Sequence, residues 1–268
     1  MVVSVFLIME SNVFAAPVNI SDTYWGSKDH GHEDVIGADS KFGISSMDVE
    51  LIGNILSVDI NTSFGGKGDD GSYSGITING LGIGYGDLFL SSAWTPDPNS
   101  ALNNYLTDDH STGTLWSYGV KLDNNWGYGG SVSSKNVATL YEFAIGGSNA
   151  DNAILTDALF SSGTFRDGQE VRVNDGSSYA SPLSNDASWY SDSGVVNFEI
   201  DLTGTSLLNG PEIALHWGPT CGNDTIEGSY KIPAVPEPGT IALLGIGLAG
   251  LAGVGARRRL KKKAVDKS

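Results

Sequence analysis

The middle of the chain alternates. From Ser46 onward the apolar residues Met47, Val49 and Leu51 are separated by Asp48 and Glu50, and Leu56, Val58 and Ile60 by Ser57, Asp59 and Asn61. A period of two puts successive side chains on opposite faces of a strand, so each run predicts one dry and one wet face. Gly53-Asn54 lies between the runs and predicts a two-residue hairpin turn. Val196, Phe198, Ile200 and Leu202 repeat the pattern opposite Asn197, Glu199 and Asp201. Further strands are predicted over Gly75–Asn79, Asp87–Ser91, Leu115–Leu122, Ala138–Ile145, Glu170–Val173 and Glu212–Trp217. Helical signal is slight: Ala153, Ile154, Asp157 and Ala158 within Asp151–Phe160 could make two turns. Half-wet alternation is the signature of antiparallel sheets. The predicted class is all-β, an antiparallel two-sheet sandwich of the jelly-roll or lectin-like kind. An outer-membrane barrel fits less well, because the glycine-rich turns are long and no aromatic girdles repeat.

Both ends depart from this alternation. Val2 to Met9 is a short apolar run, and Val13-Phe14-Ala15 puts small residues where a signal peptidase reads, with a cut before Ala16-Pro17. Residues 1–15 therefore read as a signal peptide. Its positive n-region is missing and Glu10 is out of place, so Met1 reads as an internal start. At the other end, Pro236-Glu237-Pro238 is a rigid, extended break. Residues 239–256 follow without a charge, and as a helix they would reach about 27 Å, just enough for a bilayer core. Arg257, Arg258, Arg259, Lys261, Lys262 and Lys263 then form a basic end, which the positive-inside rule places in the cytoplasm with the body outside. Gly245, Ala249 and Gly253 form a small-residue face suited to close helix packing. A buried core helix is the bland alternative. Six glycines in this segment make a poor soluble helix, and the cations could not follow it into a core.

Val235-Pro236-Glu237-Pro238-Gly239-Thr240, the Gly/Ala/Leu segment and the Arg run together resemble the PEP-CTERM sorting signal. The resemblance implies recognition of Pro236, Glu237 and Pro238 by an exosortase, an integral-membrane cysteine protease, with the basic residues as a cytoplasmic retention signal. It also implies a bacterial setting in which exopolysaccharide and biofilm are common. It covers about 25 terminal residues and carries no activity for the body. The expected organisation is a signal peptide over 1–15, an exported sandwich over 17–232, and a sorting tail over 233–268 that anchors transiently in the inner membrane. A weaker resemblance, through Asp34-Val35-Ile36-Gly37, Gly84-Tyr85-Gly86-Asp87-Leu88-Phe89-Leu90 and Ala214-Leu215-His216-Trp217 with Thr220-Cys221-Gly222-Asn223-Asp224, is to uncharacterised exported proteins of the same sorting class. It assigns no catalytic residue.

Charge sharpens the picture of the body. The chain carries 15 basic and 31 acidic residues, a formal −16, but seven of the basic ones lie in the last twelve positions. Residues 16–256 hold 8 basic against 29 acidic residues, about −21. Such a surface repels nucleic acid and could attract divalent cations, Ca²⁺ among them with no ligands named by the sequence, or simply keep the protein soluble. The single Cys221 excludes an intrachain disulfide.

No complete catalytic motif is present. Glu199-Ile200-Asp201 puts two carboxylates on one strand face about 7 Å apart, as in the acidic strand of lectin-like glycosidases. Thr203 stands where a third carboxylate belongs, and a solvated strand face explains the pair equally; Asp48 and Glu50 read the same way. Asp29-His30-Gly31-His32-Glu33-Asp34, with Asp108-Asp109-His110, is dense in metal-ligand types, but no strand pattern surrounds it and a polar loop is the plain reading. Gly65 to Gly71 could offer oxygens to Ca²⁺ but lacks an EF-hand's spacing. His216 and Cys221 suggest a thiol nucleophile without a triad motif, against a buried hydrophobic role for the cysteine. Of the tryptophans, Trp116 alternates with Tyr118 and Val120 and reads as core. Trp94 and Trp126, in turn-rich stretches, are the sugar-stacking candidates. The expected function is therefore a non-enzymatic, exosortase-sorted surface or matrix protein without cofactor, with polysaccharide as the candidate ligand. The alternative is a secreted glycan hydrolase using Glu199 and Asp201.

Overall fold

The computed structural model describes residues 16–26, 34–65, 77–78, 81–97, 105–123, 132–144, 152–157, 168–233 and 244–251. Two compact units divide the chain, residues 1–232 and 233–268.

The first unit is built on one antiparallel sheet of ten strands. In chain order its strands begin with β1 (Val18–Ser21), β2 (Ile44–Ile52) and β3 (Ile55–Thr62). A short ladder of β4 (Thr77–Ile78) and β5 (Leu81–Gly82) stands apart from it. Then come β6 (Leu88–Ser91), β7 (Tyr118–Leu122) and β8 (Val132–Phe143). A second short ladder pairs β9 (Ile154–Thr156) with β10 (Glu170–Val173). The last sheet strands are β11 (Ala180–Asp192), β12 (Val195–Asp201), β13 (Glu212–Trp217) and β14 (Ile226–Lys231). The spatial order is β1-β2-β3-β12-β11-β8-β7-β6-β13-β14.

Turn chemistry sets the registers. Gly53 takes φ of 61° and closes β2–β3 with Ile52 opposite Ile55, as the alternation predicts. Ser193-Gly194, both at positive φ, closes β11–β12 with Asp192 opposite Val195. The first hairpin places Asp48 directly opposite Asp59, a like-charge pair that would repel. Asparagine amides relieve it: Asn19 and Asn61 donate to Asp48 at 2.8 and 2.9 Å, and Asn197 to Asp59 at 2.6 Å.

Alternation then decides the core. Met47, Val49, Leu56, Val58, Ile60, Phe198 and Ile200 from one half of the sheet and Leu215, Trp217, Ile226 and Tyr230 from the other join a single buried cluster. The two halves face one another because the sheet curls. The first and last strands of the order come together, and a Cβ on Gly228 of β14 would stand 2.6 Å from Ile20 Cγ2 of β1, so glycine fits this close approach without displacing Ile20. The sandwich is thus closed by one continuous sheet around a shared core, where each large apolar side chain contributes about 1.5–3 kcal/mol.

Half of this sheet is covered on its other face as well. Phe89, Trp116, Phe143 and Ala214 pack there with Ile154 and Val173 from the β9–β10 ladder and with Ala153 just before it. That ladder is tied down at Asp87, which is fully buried. Its carboxylate accepts from Leu122 N at 2.9 Å and Val173 N at 2.7 Å, and Arg172 Nη1 lies 3.3 Å away. Gly119 makes the approach possible, since a Cβ there would lie 2.5 Å from Val173 Cγ2.

Two elements differ from expectation. The two helical turns expected within Asp151–Phe160 are replaced over Ile154–Thr156 by strand β9, because Ala153 and Ile154 are buried against Val173 and the backbone pairs with β10. The thirteen residues of β11 were not expected as a strand. Apolar residues are few there, and Pro182 marks a break in its ladder with β8, so period two hardly registers.

In the second unit, residues 244–251 are helical, with Leu244, Ile246, Leu248 and Leu251 exposed. Among the described residues, no helix is long and apolar enough to cross a membrane. The leader, Pro236–Pro238, the rest of 239–256 and the basic end lie outside the described residues.

Candidate functional site

The doubly covered half of the sheet gathers a set of ionisable side chains. Along β13, Ile213, Leu215 and Trp217 enter the main core, so Ala214 and His216 must point the other way. On β14 the same rule sends Glu227 to that side, directly opposite His216. The second layer then buries what would otherwise be a wet face: His216 is 0%, Glu170 3%, Glu227 5% and Asp108 2% exposed.

The imidazole sits among aromatic rings, with Trp116, Phe89 and Tyr24 centroids 5.6, 6.1 and 6.3 Å away. Its Nε2 donates to the Glu170 carbonyl at 2.9 Å. A carbonyl only accepts, so Nε2 carries a hydrogen, and Nδ1 shares one proton with Glu227 Oε2 at 3.2 Å. Glu227 Oε1 accepts from Trp94 Nε1 at 2.7 Å and Thr114 Oγ1 at 3.1 Å, and Tyr24 adds a further bond. Trp116 Nε1 donates to Glu170 Oε1 at 3.1 Å.

Burial pushes all three acids upward. Glu170 rises to about 8, chiefly by desolvation; His216 opposes the shift and Glu227 adds to it. Asp108 rises by desolvation first and then by repulsion from Glu227. Desolvation lifts Glu227 against its bonds from Trp94, Thr114 and Tyr24. The arrangement can therefore hold or release protons near neutral pH.

A second group lies nearer the surface. One oxygen from each of Asp22, Asp34 and Asp224 falls within 4.8 Å of the others. Asp224 Oδ2 accepts from Ile44 N at 2.5 Å and Oδ1 from Thr225 N at 2.9 Å. Asn223 holds the neighbouring segment through paired bonds with Ile36, each 2.7 Å. An all-oxygen set of this kind suits a hard cation such as Ca²⁺ rather than a transition metal.

The remaining sequence candidates fall elsewhere. Glu199 is half-exposed and bonded to Lys135 Nζ at 2.6 Å. Asp201 Oδ1 accepts from Thr203 N at 2.8 Å and Thr203 Oγ1 at 2.6 Å, which hold its pKa below the usual range. The pair lies on a solvated strand face, as do Asp48 and Glu50. Cys221 packs into the main core, away from the role imagined with His216, whose nitrogens engage Glu227 and Glu170. His110 Nδ1 meets the Gly168 carbonyl at 3.1 Å. Trp94 is half-buried and touches Tyr105, ring centroids 5.6 Å apart. Trp189 and Trp217 are buried. His30, His32, Trp126 and the 66–71 glycine stretch lie outside the described residues.

Sequence reasoning missed Glu170 and Glu227, which look like ordinary wet-face carboxylates. The available signal was on the neighbouring strand: a face carrying Ala214 and His216 is poorly suited to water.

Residues 234–259 match the family model of the PEP-CTERM protein-sorting motif. No curated protein and no solved structure matches the chain.

Proposed function

We propose, from the premise that this chain carries the PEP-CTERM signal of an exosortase-sorted exported protein, that its body is a surface or matrix module that binds and does not catalyse, with polysaccharide as its ligand class. The match at 234–259 is the observation that carries the reading, because it supports export of the body and processing by an exosortase-type membrane protease. In this reading the apolar segment anchors the precursor with its basic end in the cytoplasm, and the body lies outside. Pro236-Glu237-Pro238 would then stand near the outer bilayer face, where its prolines favour the extended chain that a protease cleft takes as a strand.

Engagement of Glu199 by Lys135 and of Asp201 by Thr203 supports a binding role over a hydrolytic one. So does the burial of His216, Glu170 and Glu227 beneath aromatic side chains. The test is a glycan array with the purified exported protein, run beside a hydrolysis assay on the same polysaccharides. Selective binding without product release is expected. Product release abolished by Glu199→Gln would replace this reading with the hydrolase alternative.

A further inference from the structure

Going beyond that reading, we infer that the buried cluster of His216, Glu227, Glu170 and Asp108 is a proton-operated clasp that holds residues 94–97 and 105–114 against the outer face of β13 and β14 and releases them when its carboxyls ionise. The observation is the convergence of ionisable groups from four chain segments on one dry volume, with the cover bonded to that cluster through Trp94 and Thr114. Trp94 Nε1 and Thr114 Oγ1 both end on Glu227 Oε1. Asp108 rides on the cover itself: its Oδ2 accepts from Asp97 N at 3.1 Å within the cover, while its backbone carbonyl accepts from Gln169 Nε2 at 2.9 Å and the neighbouring His110 N donates to the Gly168 carbonyl at 2.9 Å.

The charges facing the cluster come from every element packed against it. The cover brings Asp97, Asp108, Asp109 and His110; the N-terminal segment brings Tyr24; β10 brings Glu170 and Arg172; β13 brings His216 and Glu212; β14 brings Glu227 and Lys231. Their cations are largely engaged elsewhere. Arg172 lies against Asp87, and Lys231 bonds to Glu212, which also accepts from Trp94 N at 3.1 Å. Partial burial would raise Glu212, but these bonds bring it net downward, so it stays ionised throughout. His216 is left facing three acids. It can balance Glu227; ionised Glu170 and Asp108 would then be buried negative charges without compensation.

Relief comes where the chain is held least. β13 and β14 are locked by their ladder, and β10 by Asp87. The cover instead contains Tyr105 in the left-handed region at φ 54°, a conformation a bulky residue leaves readily. Opening would hydrate the acids and expose Trp94 and Tyr105.

The sign follows from linkage. Closed carboxyls have pKa values raised from 4.5 and 3.8 toward about 8, whereas hydrated ones return to the ordinary values, so the open form binds fewer protons across that window. The closed form is fully favoured below about pH 4. Opening grows about tenfold per pH unit for each proton lost up to about pH 8 and then levels.

Hydrogen–deuterium exchange of the full chain at pH 5, 6, 7, 8 and 9, corrected for intrinsic rates, tests this. Protection in the 94–97 and 105–114 peptides should fall at least about tenfold per unit from pH 5 to 8, stay below that of Val195–Asp201 throughout, and level above 8. Glu170→Gln and Asp108→Asn keep the oxygen acceptors and should each lower the slope by one proton. Flat wild-type protection from pH 5 to 8, equal protection of cover and Val195–Asp201 at every pH, or an unchanged slope in Glu170→Gln would each overturn the clasp. The wild-type titration decides even if Asp108→Asn does not fold.

Discussion

Carboxylates on the two halves of this sheet behave in opposite ways, although local sequence hardly distinguishes them. On β3 and β12, Asp59 and Glu199 stand on a face open to water and are met by Asn197 and Lys135. On β14 and β10, Glu227 and Glu170 occupy comparable alternating positions, but a second layer lies over them and their proton affinity rises. The lesson is that a strand fixes which way a side chain points, while a distant segment decides whether it meets water. The same residue type is solvated surface in one half and a buried proton site in the other.

That contrast can be broken by removing one carboxylate from each half. Glu227→Ala strands the Trp94 and Thr114 donors and leaves His216 without its partner. It should cost about 2–4 kcal/mol by urea denaturation. Glu199→Ala removes only a surface pair with Lys135 and should stay within about 1 kcal/mol. Equal losses at the two sites would mean that the second layer does not desolvate Glu227.

A smaller effect sharpens the comparison at a partly exposed group. Asp22, Asp34 and Asp224 should respond to Ca²⁺, since a site filled only in the folded state adds stability by mass action. Thermal melts in excess Ca²⁺ should lie above those in EDTA by about 2–4 °C per kcal/mol of binding linkage, and Asp224→Asn should erase the gap. Coincident wild-type curves would remove the cation from the account.

How much of this was legible follows the same division. The β2–β3 hairpin, β12 and β13 stand out because one face is dry, one is wet, and Gly53 marks the turn. The tail stands out because proline, an uncharged glycine-rich run and a cationic block each have a separate physical meaning. Strand β11 did not stand out, since Ser, Asn and Asp dominate it and its place comes from its neighbours β8 and β12. Strand β9 was misread because short apolar runs fit a helix turn as well as a strand until β10 pairs with them. Glu170 and Glu227 stayed hidden for a deeper reason: their burial arises from residues 54 or more positions away, Trp116 for one and Trp94 for the other. Of the buried cluster, only His216 and Asp108 had been singled out as candidate chemistry, each with the wrong partners.

The delivery of the body rests on the tail, and one measurement reaches it directly. The intact mass of the surface-located protein, from a host with a working exosortase, should correspond to a chain ending close to Pro236-Glu237-Pro238, with the apolar segment and the basic end gone. A mass that includes every residue through Ser268 would contradict the account.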